Sequence, residues 1–263
     1  MENLPPRLAA SNAPKIAQQL GKISTGKVLD VATGDGEFID LLLNTLKGYG
    51  SITGVDISKK EVKKTRKRFK DKPVKILQMN AEALEFGDAT FDMVCLSFSM
   101  HHITRLKQVL TEMKRVLKPG GYFILQEMYR GRNFTLGQKT SVIYHHWSMK
   151  IEGLKKIPAY NTFTRGRIIQ IAESLKLKKL QVYDSTLSLN CLFCDERFLC
   201  DDPKNEKVMN QAFKSIDKTL KGLSKHPDRT MVESLKEEGE LIKNQIQKYG
   251  YDQTPLLFII GRK

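Results

Sequence analysis

The sequence predicts an α/β protein, a doubly wound and mostly parallel sheet of seven strands with helical cap insertions, and three observations carry that expectation. Short apolar runs alternate with amphipathic helical stretches from Lys27 onward. The first run closes on a glycine-containing turn, Asp30-Val31-Ala32-Thr33-Gly34-Asp35-Gly36. Two longer segments of different rhythm interrupt the later part of the alternation, and strands resume after each. Strands and helices that alternate at this length assemble as a parallel sheet covered on both faces, because each parallel return needs a crossover.

Taken in order, the expected strands of the first half are 28–33, 51–57, 74–80, 91–99 and 122–128, with helices at 38–46, 59–71 and 104–117. Pro119-Gly120-Gly121 is expected to punctuate the last of these helix-to-strand connections. Residues 129–163 hold a helix around 138–152 and no obvious strand. Thr164 is placed to cap a helix running to Leu175, and 177–189 reads as a sixth strand. A cysteine-bearing turn, a helical pair at 205–222 and 229–248, and a final strand at 255–263 complete the chain. The expected divisions are an N-terminal segment and binding core at 1–128, a cap insertion at 129–163, a core helix and strand at 164–189, a helical cap insertion at 190–254, and a last core strand at 255–263.

Composition narrows the class. The 263 residues are 40% hydrophobic and 28% charged, an ordinary folded composition with neither collagenous nor disordered bias. The opening MENLPPRLAASNAPKIAQQL carries no apolar run of signal-peptide length, and no stretch approaches the ~20 apolar residues of a membrane span, so a cytoplasmic protein is expected. Lys plus Arg exceed Asp plus Glu by 44 − 29 = 15. That excess raises nucleic acid, anionic surfaces and acidic small molecules as partners. The basic stretch 59–72 reads better as a solvated helix face than as a nucleic-acid stripe, since no aromatic residues interleave with it in a recognisable module. Cys95, Cys191, Cys194 and Cys200 are expected as reduced thiols. The last three have C-x2-C-x5-C spacing without a fourth ligand, which favours packing or free thiols over a metal.

The chemistry concentrates at the ends of the early strands. Gly34 and Gly36 let the backbone approach a ligand closely, as in several nucleotide-binding turns. Ile39 stands where the third glycine of the dinucleotide fingerprint belongs, and Asp30 and Asp35 would repel a pyrophosphate but not a cation. Asp56, twenty residues past Gly36, is placed for ribose hydroxyls, and Asn80-Ala81-Glu82 for an adenine edge.

VLDVATGDGEF, GVDIS, MNAEALEF, FDMVCLSFSMHHI and RVLKPGGYFILQE resemble, in order and spacing, the motifs of class I S-adenosylmethionine-dependent methyltransferases. The likeness is strongest to the branch of ubiquinone/menaquinone C-methyltransferases and other small-molecule methyltransferases, and it is close over 25–128. It implies S-adenosylmethionine as methyl donor and S-adenosylhomocysteine as product, held by Asp30, Ala32, Gly34, Gly36, Asp56, Ile57, Asn80, Ala81, Ser97 and His102. Two positions depart from the family: Asn80 replaces its usual Asp, and Glu85 its frequent Pro. Asn80 can still accept a hydrogen bond from the adenine amino group through its side-chain oxygen.

His101 and His102, just past the fourth strand, are the candidate catalytic residues, as general bases or as walls of the acceptor pocket; a purely structural role stands beside these. No metal is expected. Both extra segments begin at carboxyl ends of strands, where ligands bind in such sheets, so they are expected to build the acceptor pocket. Tyr144, His145, His146, Trp147, Tyr160 and Phe163 would favour an aromatic or lipid-like acceptor, unless they form the cap's own core. A small-molecule acceptor is expected over RNA or protein, because Ser97-Phe98-Ser99-Met100 stands in place of the N-P-P-Y type motif of many adenine and amide N-methyltransferases. A binding protein without catalysis is the third class. The sequence leaves the acceptor, the atom methylated and the oligomeric state open.

Overall fold

The computed structural model describes residues 4–154, 162–223 and 226–263. Seven strands form one sheet: β1 (Lys27–Val31), β2 (Ser51–Asp56), β3 (Val74–Gln78), β4 (Phe91–Ser97), β5 (Leu117–Met128), β6 (Lys178–Ser185) and β7 (Leu256–Arg262). Their order is β3-β2-β1-β4-β5-β7-β6. β1 to β5 pair in parallel, and β7 runs antiparallel to both β5 and β6. The order reverses between β1 and β4, the topological switch where such sheets bind ligands beyond their strand ends.

Nine helices accompany the sheet among the described residues: α1 (Pro6–Ala10), α2 (Ala13–Leu20), α3 (Glu37–Thr45), α4 (Lys59–Arg68), α5 (Leu106–Val116), α6 (Leu136–Leu154), α7 (Arg165–Ser174), α8 (Glu206–Lys221) and α9 (Arg229–Tyr249). Their starts are written in side chains that satisfy otherwise orphaned amides: Ser58 accepts from Glu61 N–H, Thr164 from Arg167 N–H, and Asp228 from Met231 N–H. In α4, Glu61 lies in the first turn and Arg66, Lys67 and Arg68 in the last, each sign at the helix end its charge favours.

Alternate strand residues feed two cores. Val28, Met93, Cys95, Ile124, Phe258 and Ile260 pack on one face with α2 and α3. Leu29, Val31, Val94, Leu96, Leu125, Leu257 and Ile259 pack on the other with α5 and α7. This period of two, buried on both sides, is why these strands read as continuous apolar runs. A third core belongs to the cap: Trp147 and Ile151 of α6 meet Met209, Ala212 and Ile216 of α8 and Val232, Leu235, Ile242 and Ile246 of α9. Trp147 Nε1 donates to the carbonyl of Leu235, so the indole is satisfied as well as buried.

Three local details differ from the sequence expectation. β5 begins at Leu117, before Pro119-Gly120-Gly121, and absorbs those residues as a shift in register against β4. Gly120 sits at φ 75°, so the glycine supplies a bulge where a connection was expected. The N-terminal helices α1 and α2 precede the first expected element, and Ile16 and Leu20 of α2 are fully buried in the first core. The cysteine-bearing turn consists of two 3-10 turns, Leu189–Phe193 and Arg197–Asp201. No helix among the described residues is long and apolar enough to cross a membrane.

Because Trp147 ties α6 to α9, Trp147→Ala should loosen the cap as a unit, with a cost of about 3–5 kcal/mol for a buried indole. Hydrogen exchange is expected to accelerate in α6, α8 and α9 while β1 to β5 keep their protection; uniform acceleration across the sheet would contradict a separate cap core.

Candidate active site

The turn after β1 is built from left-handed backbone. Ala32, Gly34 and Gly36 have φ of 53°, 51° and 87°. A Cβ at Gly36 would lie 2.3 Å from the Phe69 ring, whereas one at Gly34 would meet nothing within 4 Å. Gly36 is therefore required by packing, and Gly34 presents bare backbone to open space, the surface a ligand can approach. The Asp56 carboxylate fixes this turn: Oδ2 accepts from Gly34 N–H at 2.9 Å and Oδ1 from Ser58 N–H at 2.8 Å. Thr65 of α4 also donates to the Gly34 carbonyl at 2.6 Å. Each Asp56 oxygen retains lone-pair capacity for a hydroxyl, and Ile57 beside it is 68% exposed, an apolar face at the same strand end.

Asp30 lies one residue from the end of β1 and is 1% exposed. Its Oδ2 accepts from Thr33 Oγ1 at 2.5 Å, while Oδ1 is buried without a partner. Burial pushes its carboxyl from 3.8 up to about 7, the Thr33 bond pulls it partly back, and the nearby Asp56 charge adds to the rise. Asn80 is exposed at the end of β3, and its Oδ1 accepts from Glu82 N–H at 3.0 Å. The oxygen expected to serve adenine is thus already in a local turn and keeps one lone pair for a second donor. Ala81 is half-buried against the second core.

β4 ends at Ser97, half-buried, whose carbonyl accepts from Ser99 Oγ at 2.8 Å; the same hydroxyl reaches the Ala32 carbonyl at 3.3 Å and so links the two strand ends. Met100–His102 form a short 3-10 turn held by a residue the sequence reasoning missed. Glu127, near the end of β5 and fully buried, accepts from Met100 N–H at 2.9 Å, from Met128 N–H at 2.8 Å and from His101 Nδ1 at 3.1 Å. A carboxylate accepts, so Nδ1 of His101 carries a proton toward Glu127. Nε2 of the same ring is buried without a partner. His102, half-buried, stacks its ring 4.3 Å from that of His101. The only sequence signal for Glu127 was a carboxylate closing an otherwise apolar strand.

The cap delivers His145 of α6 to this point, its ring centroid 5.0 Å from that of His101. Burial first, then the neighbouring His101, His146 and His102, lower the His145 pKa to about 3, so it stays neutral at physiological pH. Its Nε2 is also buried without a partner. His146 turns aside to Thr162 at 3.0 Å. A cavity of about 280 Å³ lies alongside, lined by Phe98, Met128, Tyr144, His145, Tyr251 and Gln253 among others. A larger open groove of about 1110 Å³ runs between α8 and α9, but its lining is mostly charged and includes no strand-end residue.

Of the aromatic set expected in the acceptor pocket, Tyr144 and His145 line the cavity, Trp147 belongs to the cap core, Phe163 packs against the second core, and Tyr160 lies outside the described residues. Among the described residues no group of three or more His, Cys, Asp or Glu is placed to hold a metal ion. Part of the basic charge of α4 and the turn after it is engaged locally, with Lys64 3.5 Å from Asp35, and Arg68 and Lys72 at 2.5 and 3.0 Å from Asp40.

Residues 29–125 match the family model of a methyltransferase domain. The ubiquinone/menaquinone biosynthesis C-methyltransferase UbiE of Shewanella sediminis is 31% identical over 155 residues, which are 57% of this chain and 59% of the relative. The chain thus spans about three fifths of the length of the curated relatives it matches. Among solved structures, phosphoethanolamine N-methyltransferase 2 of Haemonchus contortus, in complex with S-adenosyl-L-methionine, superposes with a TM-score of 0.55 at 18% identity, covering 96% of this chain and 52% of that one. The cyclase SpnF superposes at 0.59 and 15% identity, covering 95% and 78%. These two likenesses carry the fold alone.

The raised Asp30 carboxyl has a measurable consequence. The unfolded chain ionises this group near 3.8 and the folded chain near 7, so the group's stabilising contribution is full below 3.8 and lost as pH rises through about 7. Asp30→Asn should therefore be more stable than the wild type at pH 8, by up to ~4 kcal/mol, and indistinguishable near pH 4. Melting temperatures across that range check this; a gap independent of pH would contradict it.

Proposed function

We propose that the chain carries a class I S-adenosylmethionine-dependent methyltransferase domain and that the whole protein transfers the methyl group of S-adenosylmethionine to a small or mid-sized acceptor with an aromatic or lipid-like surface. One observation supports this most strongly. Four buried polar atoms without partners, Asp30 Oδ1, His101 Nε2, Gln126 Oε1 and His145 Nε2, belong to the ends of β1, β4 and β5 and to the cap helix facing them. Thr25 Oγ1 and Gln245 Oε1 are unpaired elsewhere, but these four share the carboxyl end of the sheet, and since buried polar groups left unpaired are costly, the grouping supports a ligand that supplies the missing bonds there.

The residues fit the donor. Asp30 Oδ1, an unpaired buried acceptor, suits the ammonium of its methionine portion; Asp56 suits the ribose hydroxyls; Ile57 and Ala81 offer apolar contact to adenine, with Asn80 at its edge. Gly34 and Gly36 keep the turn open between these groups, and Ser97 and His102 close the methionine side. When bound, S-adenosylmethionine supplies an electrophilic methyl group, so the chain's tasks are positioning and exclusion of water. His101, oriented by Glu127, would take the acceptor's proton at Nε2, with His102 as the flanking candidate. Neutral His145 can offer a hydrogen bond without adding charge, and Phe98, Met128 and Tyr251 give the acceptor an apolar wall.

RNA and protein acceptors are the competing class. The cavity volume suits a small molecule, and the α4 cations nearest the glycine turn pair with Asp35 and Asp40. The four free cysteines accord with a reducing, cytoplasmic setting.

Purified protein should bind S-adenosylmethionine or S-adenosylhomocysteine more tightly than NAD. Asp56→Ala should weaken binding by about 1.5–3 kcal/mol per lost charge-assisted bond. Calorimetry showing wild-type affinity in that variant would overturn the donor assignment. A screen of metabolite fractions for S-adenosylhomocysteine release, before and after nuclease and protease treatment, identifies the acceptor class. With that acceptor in hand, His101→Ala should lower turnover ~100- to 10,000-fold with little change in donor affinity. Glu127→Gln should shift the pH–rate profile. Full turnover without either imidazole across neutral pH would show that positioning alone suffices.

A further inference from the structure

The cysteines after β6 play no part in the site above, yet two of them meet. The 3-10 turns Leu189–Phe193 and Arg197–Asp201 fold back on each other and bring Cys191 Sγ to 3.7 Å from Cys200 Sγ. Cys191 is buried, Cys200 is half-buried, and Cys194 between them in sequence is exposed. The side-chain amide of Gln253 donates to both sulfurs, at 3.1 Å to Cys191 and 3.7 Å to Cys200. Its oxygen accepts from Ser188 N–H. Arg7 of α1 donates to the Cys200 carbonyl at 2.9 Å and pairs with Asp252 at 2.7 Å, which sets a cation beside the sulfurs.

This arrangement divides the two thiols. The hydrogen bond between the two thiols, in which either sulfur can donate, pulls the Cys200 thiol down to about 7; burial and the Asp252 and Asp201 carboxylates oppose the shift and the Arg7 charge reinforces it, while the same bond and burial push Cys191 up. Cys200 is then the thiolate and the reachable sulfur, and Cys191 is the protonated, buried neighbour. Reactive thiols combine these traits: lowered pKa, partial exposure and a second sulfur in reach.

We propose that Cys191 and Cys200 form a redox-modifiable dithiol behind the cavity wall, in contact with its residue Gln253, in which Cys200 reacts with a hydroperoxide and Cys191 resolves the product as an intramolecular disulfide. In the first step the Cys200 sulfur bonds to the terminal peroxide oxygen as the O–O bond breaks; the departing oxygen takes a proton and leaves as water or an alcohol. Cys200 is now a sulfenic acid. In the second, the Cys191 sulfur attacks the Cys200 sulfur, the S–S bond forms, and the hydroxyl leaves with the Cys191 proton as water. The two thiols lose two electrons and the hydroperoxide gains two. Gln253 then loses a thiolate partner, and because Gln253 and Ser188 both line the cavity, oxidation reaches the wall that faces the acceptor.

The test uses the full-length Cys194→Ser protein, so that each tryptic peptide flanking Arg197 carries one of the two thiols. Treatment with stoichiometric hydrogen peroxide, quenching with N-ethylmaleimide and non-reducing digestion should give the two peptides joined, two hydrogens lighter than their sum, and separated by dithiothreitol. Cys191→Ser should instead leave a sulfenic acid on Cys200 that dimedone traps. Alkylation of Cys200 in the reduced wild type should follow a pH midpoint near 7. Both thiols recovered fully alkylated after peroxide, or a Cys200 midpoint at the ordinary 9, would overturn the proposal.

Discussion

A carboxylate with no access to water must be surrounded by donors, and in this protein Glu127 is such a group. It takes amides from two strand ends, Met100 after β4 and Met128 after β5, together with the imidazole of His101. Each partner is thereby fixed relative to the other two. The 3-10 turn after β4 exists where it does because one of its amides is spent on Glu127. The same contact orients the His101 ring, whose centroid lies 5.0 Å from that of His145. Removing the carboxylate would unpair buried donors at both strand ends, at a cost out of proportion to its size.

Much of this was legible in the sequence, and the reasons are local. The turn after β1 required left-handed backbone, and glycine at 34 and 36 announces it. Asp56 stands at a strand end at a fixed spacing, and strand ends follow from the period-two pattern. The capping side chain Thr164 marked where one helix begins, whereas the Ser58 cap emerged only in the structure. What stayed hidden depends on distant pairing. Glu127 meets His101 only because β5 lies beside β4, a fact no window of sequence contains. The direction of Trp147 was undetermined because a helix aromatic serves a cavity or a core equally well until its neighbours are known; here α8 and α9 claim it. Pro119-Gly120-Gly121 looked like an ending, yet a bulge lets a strand continue through such residues.

The division between sheet and cap matches the division of labour in the chemistry. The groups proposed to hold the methyl donor all lie within 29–125, the stretch that matches the methyltransferase family model. The cavity is walled largely by α6 and by the lead into β7 around Tyr251 to Thr254, outside that match. A fold shared with both an N-methyltransferase and a cyclase does not by itself fix the reaction.

The placement of β7 between β5 and β6 has a consequence for how the chain is made. Met128 pairs with Leu256, and Ser185 with the same residue from the other side. On the ribosome, β1 to β5 can assemble in the order they emerge, but β6 arrives with no neighbour and must wait until the cap helices have been synthesised. Through that interval β5 and β6 both present unpaired edges, which invite contact with other nascent chains. The α8–α9 hairpin, closing locally, can shorten the effective tether between β6 and β7. Translation speed across 206–249 would then set how long those edges stay exposed, which makes these helices a determinant of folding yield.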